Sequence, residues 1–270
     1  MKVISFNINS VRARPHQLEF LIKKHKPDVI GLQETKVHDD EYPHEMIEEM
    51  GFKSITHGQK GHYGVSLLYK KNLISSGKGF SSDNEDSQKR LIWGEFKTKN
   101  DSIFIINGYF PQGEERKHPI KFPAKEKFYK DLIKHLKRNH SPNQKLILMG
   151  DLNISPQDID IGIGEQNRKR WLSAGKCSFL PEEREWLKNL TKWGLEDSFR
   201  LINPDVDDLY SWFDYRSKGF DDVPKRGLRI DQIWITENLK SGLKDVGIDY
   251  EARGMEKPSD HAPIWANFKI

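Results

Sequence analysis

The chain has 270 residues; 36% are hydrophobic, and 7 Trp, 8 Tyr and 14 Phe supply enough apolar area to exclude a disordered chain. Lys and Arg total 44 against 40 Asp and Glu, so the net charge of +4 permits a polyanionic partner without showing one. The single cysteine, Cys177, excludes an internal disulfide framework and thiolate metal sites, and it fits a reducing, cytoplasmic setting.

In chain order, short apolar or alternating runs predict strands and 3.6-residue periodicity predicts helices. A strand over Val3–Asn7 leads to a helix over Arg14–His25, a strand over Val29–Glu34 and a helix over Glu41–Met50. Strands follow over Val65–Tyr69, Leu91–Phe96 and Ile103–Tyr109, then a helix over Pro123–Asn139 and a strand over Leu146–Asp151. The last two elements are a helix over Pro181–Trp193, with Pro181 in its first turn, and a strand over Ile230–Ile235. Trp93, Trp234 and Trp265 read as strand residues, and Trp186 and Trp193 have core spacing on one helix. Mixed strands and helices indicate an α/β layered fold. No low-complexity linker interrupts it, so residues 1–270 read as one domain. The opening apolar run is too short for a signal-peptide core, and no window is apolar enough to span a membrane.

Four strands deliver a polar group at or near one end: Asn7, Glu34, Asp151 and Asp231. One such event is ordinary loop chemistry, whereas four suggest strand ends converging on a polar site. Glu34, Asp151, Asp231 and Asp260 would then repel, at roughly 1 to 4 kcal/mol per pair 4 Å apart. Protonation or a cation relieves such a cluster, and oxygen ligands favour a hard ion such as Mg²⁺, with Mn²⁺ as substitute. In Gly150-Asp151-Leu152-Asn153, period-two alternation puts Asp151 and Asn153 on one side, one as a base toward water and one as a donor to a phosphate oxygen. In Ser259-Asp260-His261-Ala262-Pro263, Asp260 and His261 point opposite ways, and Asp231 could hold the imidazole protonated. The loop from His57 to Gly64 offers glycine N–H groups to a phosphate. Gln166–Arg170 is either a basic nucleic-acid contact or a solvated helix face, and Ser211–Lys218 interleaves rings and cations.

Together these stretches, with Asn107–Gly113, His118–Lys125, Asn167–Leu172 and Gly175–Trp186, resemble the exonuclease III family of class II abasic-site endonucleases, within the exonuclease–endonuclease–phosphatase superfamily. The likeness covers essentially the whole chain. It implies a four-layer αββα sandwich of two mixed sheets, like deoxyribonuclease I, with the site at one end. It implies a Mg²⁺-dependent monomer acting on double-stranded DNA, especially abasic or 3′-blocked. The implied activities are incision 5′ to abasic sites, 3′→5′ exonuclease action and cleaning of 3′ ends. By position, Glu34 is the main metal ligand, with Asn7, Asp151, Asn153 and Asp260 around the ion. Asp151 handles the proton and Asn153 orients water. Tyr109 and His261 contact the phosphate, and Asp231 partners His261. Trp212, Phe213 and Leu228 match an abasic-sugar pocket, and Arg90, Gln112 and Arg216 match DNA contacts. The segment Asp222–Arg226 is longer than the family pattern, and position 9 is Asn where some relatives carry Asp.

A small-molecule phosphatase of the same superfamily would keep the acids but would not need Trp212 or the Gln166–Arg170 run. A non-catalytic DNA-binding module gains nothing from acids facing phosphate. The DNA-repair nuclease accounts for the acids, the basic excess and the aromatic segment together.

Overall fold

The computed structural model describes residues 1–99 and 101–270. Its strands form two six-stranded mixed sheets. Numbering strands along the chain, the first sheet runs β11 (Leu243–Ile248), β12 (Ile264–Phe268), β1 (Lys2–Asn7), β2 (Val29–Gln33), β4 (Val65–Tyr69), β3 (Lys53–His57). The second runs β5 (Leu73–Lys78), β6 (Leu91–Lys97), β7 (Ser102–Tyr109), β8 (Leu146–Asp151), β10 (Asp231–Thr236), β9 (Leu195–Asp197). Each sheet has one central parallel pair, β1/β2 and β7/β8, and its other pairs are antiparallel. The helices used below are α1 (Pro15–His25), α2 (His44–Glu49), α3 (Lys121–Asn139), α4 (Glu165–Ala174) and α5 (Pro181–Trp193).

Strand alternation explains the layers. Val3, Val29 and Leu67 of the first sheet meet Ile105, Ile147 and Met149 of the second. On the outer face of the first sheet, Ile4, Phe6, Ile30 and Leu32 pack with Leu18 and Leu21 of α1. On the outer face of the second, Ile106 and Leu148 pack with Phe128 and Leu132 of α3 and Leu187 of α5. The molecule is therefore the four-layer αββα sandwich that the resemblance implied. Among the described residues, no helix is long and apolar enough to cross a membrane.

All seven predicted strands are present. The strands not predicted are β3, β5, β9 and β11, all at sheet edges, and β9 spans only three residues; β12 is read from the sequence only at Trp265. β5 exposes most of its side chains, which removes the alternation a sequence reading needs. The helix expected over Glu41–Met50 begins only at His44, because Pro43 cannot supply an N–H to an earlier turn.

Toward one end, the space between the sheets turns polar. The Gln33 amide donates to Ser5 Oγ at 3.0 Å and to Asn107 Oδ1 at 2.6 Å. Asn107 of the second sheet donates in turn to the carbonyls of Leu32 and Ser66 in the first, each at 2.9 Å. Gly31 lets the sheets close here: a Cβ at that position would lie 2.6 Å from Met149 Cε and 2.8 Å from the tethered Asn107 side chain. Gly31→Ala should therefore lower stability by about 1–3 kcal/mol, the usual cost of overpacking. A urea-unfolding midpoint equal to that of the unmodified chain would show that the sheets yield freely.

Candidate active site

The polar groups meet because of register. β1 and β2 run parallel with Asn7 beside Gln33, so Asn7 and Glu34 leave the first sheet together. In the second sheet, parallel pairing sets Tyr109 opposite Asp151, and antiparallel pairing sets Asp231 opposite Asp151. β10 thus contributes its start where the parallel strands contribute their ends. His261, just ahead of β12, is held against Trp212 by a β-bridge.

Asn7 spans the gap between the sheets. Its amide nitrogen lies 2.9 Å from Glu34 Oε1 and 3.0 Å from Asp151 Oδ2. Glu34 Oε2 pairs with Lys36 Nζ at 2.9 Å. His261 Nδ1 lies 2.8 Å from Asp231 Oδ2, and its Nε2 lies 3.8 Å from Asp151 Oδ2. Asp151 Oδ1 accepts the backbone N–H of Asn153 at 3.1 Å. Asp260 accepts from Asn9 Nδ2 at 3.0 Å and from Trp212 Nε1 at 3.1 Å.

Each protonation state has a physical cause. Burial pushes the Asp151 carboxyl up to about 7; the charge of His261 opposes this, and that of Asp231 adds to it. Burial would lower the His261 ring, but Asp231 and Asp151 together raise it to about 10, so it is an imidazolium at neutral pH. Glu34 also loses hydration, yet its bond from Asn7 and the charge of Lys36 hold it below its usual range. Burial and the nearby acids keep Tyr109 protonated.

This donor set fits a hard divalent cation. One donor atom each from Glu34, Asp151 and His261 lie within 4.8 Å of one another. The two carboxylates offer oxygen, as Mg²⁺ or Mn²⁺ prefers. His261 Nδ1 is taken up by Asp231, which leaves Nε2 facing Asp151. The mouth of the site is also where the backbone is left-handed without glycine: Asn9 (φ 49°), Glu34 (φ 52°), Lys36 (φ 58°), Tyr63 (φ 61°) and Asn153 (φ 54°). Such strain persists where surrounding bonds over-determine it. Here Ser10 N donates to Glu34 O at 2.7 Å and Lys36 N to Tyr63 O at 3.0 Å.

Other expected contacts fall in different places. Trp212 is half-buried and bonded to Asp260, but Phe213 is fully buried beside Tyr210 and Ala262, and Leu228 packs on Phe179 and Ile230. Both side chains are packed inside the protein. Arg90 is only 8% exposed, with its guanidinium stacked between the rings of Tyr63 (4.2 Å) and Tyr109 (4.6 Å). Gln112 and Arg216 are exposed. Asn153 lies past the end of β8, so its Asp151 contact comes from a turn and not from strand alternation. The expected glycine cradle is used up internally: Gly58 N donates to Asp39, Gly61 N to Lys36 O and Gly64 N to Lys89 O. The Gln166–Arg170 run lies on α4, which buries no side chain; Arg168 pairs with Asp158 and Glu165.

A family model described as Endonuclease/Exonuclease/phosphatase matches residues 4–261. The chain belongs to the endonuclease/exonuclease/phosphatase family. Among members of this family, it is 60% identical to exodeoxyribonuclease III of Haemophilus influenzae, over 100% of both chains. Two solved structures share the architecture over 100% of each chain. One is the 3′ phosphatase NExo from Neisseria bound to a product DNA hairpin, at 34% identity and a TM-score of 0.89. The other is an abasic-site (AP) endonuclease from Archaeoglobus fulgidus, at 30% identity and a TM-score of 0.90.

In this family member the sequence reading missed Lys36 and Ser211. Lys36 is bonded to both Glu34 and Asn9, and a cation two residues after a candidate ligand was the available signal. Ser211 Oγ accepts the N–H groups of Ile230 and Asp231, at 3.0 and 2.9 Å, fixing where β10 begins. Nothing local marked it.

Because the His261 pKa is raised in the folded chain, the stabilisation from its acids is present below the ordinary histidine range and is lost as pH rises through about 10. Asp231→Asn should let the ring lose its proton at a lower pH, which NMR of the imidazole carbon-bound protons will follow. An unchanged titration would remove Asp231 as the cause.

Proposed function

We propose that this protein is a DNA-repair nuclease that hydrolyses phosphodiesters of double-stranded DNA. It would cut 5′ to abasic sites, degrade from 3′ ends and clear 3′-phosphate and sugar-fragment blocks, as a cytoplasmic monomer using Mg²⁺ or Mn²⁺. The observation that carries this reading is the row Asp231–His261–Asp151, with its two acids from the second sheet, meeting Asn7 and Glu34 from the first. The exonuclease III-like and AP-endonuclease relatives support DNA as the substrate.

Glu34 and Asp151 would hold the cation, with Asn7 on their shared edge. When bound, the ion supplies positive charge against the phosphate oxygens. The chain's own groups do the rest. The His261 imidazolium, held by Asp231, offers Nε2–H to a non-bridging oxygen. Asp151, with its carboxyl near neutrality, passes a proton between the attacking water and the departing sugar oxygen. A P–O bond to water forms, the bond to the 3′ oxygen breaks, and the proton ends on that oxygen. The Asn153 amide has one N–H on Phe110 O at 2.9 Å, which leaves its other N–H for the reacting phosphate.

A duplex oligonucleotide carrying one abasic-site analogue should be cut on the 5′ side with Mg²⁺ and spared with chelator. Binding without cutting would make the protein a binding module. Phosphate release from inositol phosphates alone would make it a small-molecule phosphatase. In the same assay Asp151→Asn should lower kcat by about 10²- to 10⁴-fold, the range for a lost acid–base group. Its DNA affinity should hold or rise, since a negative charge near phosphate is gone. A folded variant with weakened binding would count against the role given to Asp151.

A further inference from the structure

Lys125 and Glu183 have no exposed side-chain surface, and they pair inside the protein between α3 and α5. The ammonium has three hydrogens and uses all of them. It donates to the carbonyl of Asn153 at 2.9 Å, to the carbonyl of Gln112 at 3.1 Å and to the Glu183 carboxylate. The second carboxylate oxygen of Glu183 accepts the N–H groups of Ser178 and Leu180, both at 2.8 Å, ahead of α5. Gly113 packs directly on the lysine stem, where an added Cβ would lie 2.9 Å from Cδ.

A buried ion pair is weak ground for stability, because an apolar pair of similar volume does as well or better. What an apolar pair cannot do is hold two carbonyls. Those carbonyls lie in the two loops that leave β7 and β8, just beyond Tyr109 and Asp151. The loops are cross-tied nearby: Phe110 N donates to Asp151 O at 2.9 Å, and the Asn153 amide donates back to Phe110 O. Asn153 itself sits in left-handed backbone (φ 54°) with its N–H on the Asp151 carboxylate. The ammonium grips the carbonyl of that same strained residue.

We propose that Lys125 is a positioning residue for phosphodiester hydrolysis: it fixes the turn at Asn153, and through that turn the orientation of the Asp151 carboxylate. Glu183 neutralises the lysine and anchors it to α5. The proposal rests on the reading that Asp151 and Asn153 act on the phosphate.

The test compares Glu183→Gln with the doubly substituted Lys125→Met/Glu183→Gln, both without an unpaired buried carboxylate. Melting temperature, kcat and KM are measured on the abasic duplex. In Glu183→Gln the lysine keeps its two carbonyls but loses its counter-ion, so kcat should fall less than in the double variant. In the double variant kcat should fall about 10- to 100-fold, the scale of a small misplacement of reacting groups. KM should be unchanged, because Lys125 touches no substrate. A folded double variant with unaltered kcat, or a kcat loss that Glu183→Gln reproduces in full, would overturn the proposal and leave the pair a packing role. Should the double variant not fold, Lys125→Ala is assayed with added ethylammonium: restored kcat supports the proposal, and restoration by sodium chloride alone or by neither speaks against it. If the unmodified protein does not cut the duplex, it is the nuclease reading that fails.

Discussion

The site depends on holding two sheets at a fixed separation. Among the described residues no backbone ladder joins them, since each sheet pairs only within itself. Apolar packing between Val29, Ile147 and their neighbours brings the faces together but leaves sliding undetermined, because dispersion contacts are non-directional. The direction comes from amides. Asn107 reaches across to the carbonyls of Leu32 and Ser66, and Gln33 reaches back to Asn107. Buried amides that miss their partners are costly, so any shift of one sheet over the other is opposed. Glu34 is the next residue after Gln33, and Tyr109 lies two after Asn107 in β7. The register that satisfies the buried amides is therefore the register that sets Asn7 between Glu34 and Asp151.

Charge is arranged on the same plan. Two carboxylates are brought to one place, and the fold supplies two different cations to steady them. Lys36 lies on the open side of Glu34 and is partly exposed. His261 lies on the closed side, between Asp231 and Asp151, and is almost wholly buried. The effect is to give the two acids different environments. The Glu34 carboxyl is held below its usual range, while burial raises that of Asp151 to about 7. Divergent environments for neighbouring carboxylates are the usual basis for dividing ligand from acid–base work.

How much of this was legible in the chain depended on the range of the interaction. The central strands were readable because their apolar runs are local facts, and so was the delivery of Asn7, Glu34, Asp151 and Asp231 at their ends. The edge strands were not, because a strand such as β5 with solvent on most of its side chains carries no alternation. Spacing placed Asp151 and Asn153 together for the wrong reason: the contact is a turn closed by a carboxylate. The ring-rich segment suggested three contact residues, yet burial separated Trp212 from Phe213, because adjacent residues on an extended chain face opposite ways. Lys125 was invisible, since a buried lysine looks like any other helix lysine until α5 is placed against it.

Trp212 shows how the ring-rich segment and the acids are joined. Its indole N–H is fixed on Asp260, whose other oxygen takes the Asn9 amide. Asn9 Oδ1 accepts from Lys36, and Lys36 pairs with Glu34. Every link is charged or amide-bearing, and each group has its partner. A ring held this way keeps one orientation before substrate arrives, so little ordering cost remains at binding. Asn at position 9 suits the chain better than an acid would. An aspartate there would accept from Lys36 but could donate nothing to Asp260, and two carboxylates would face each other across about 3 Å. With Asn, the same position accepts from one side and donates to the other, and the line from Trp212 to Glu34 closes without another unneutralised charge.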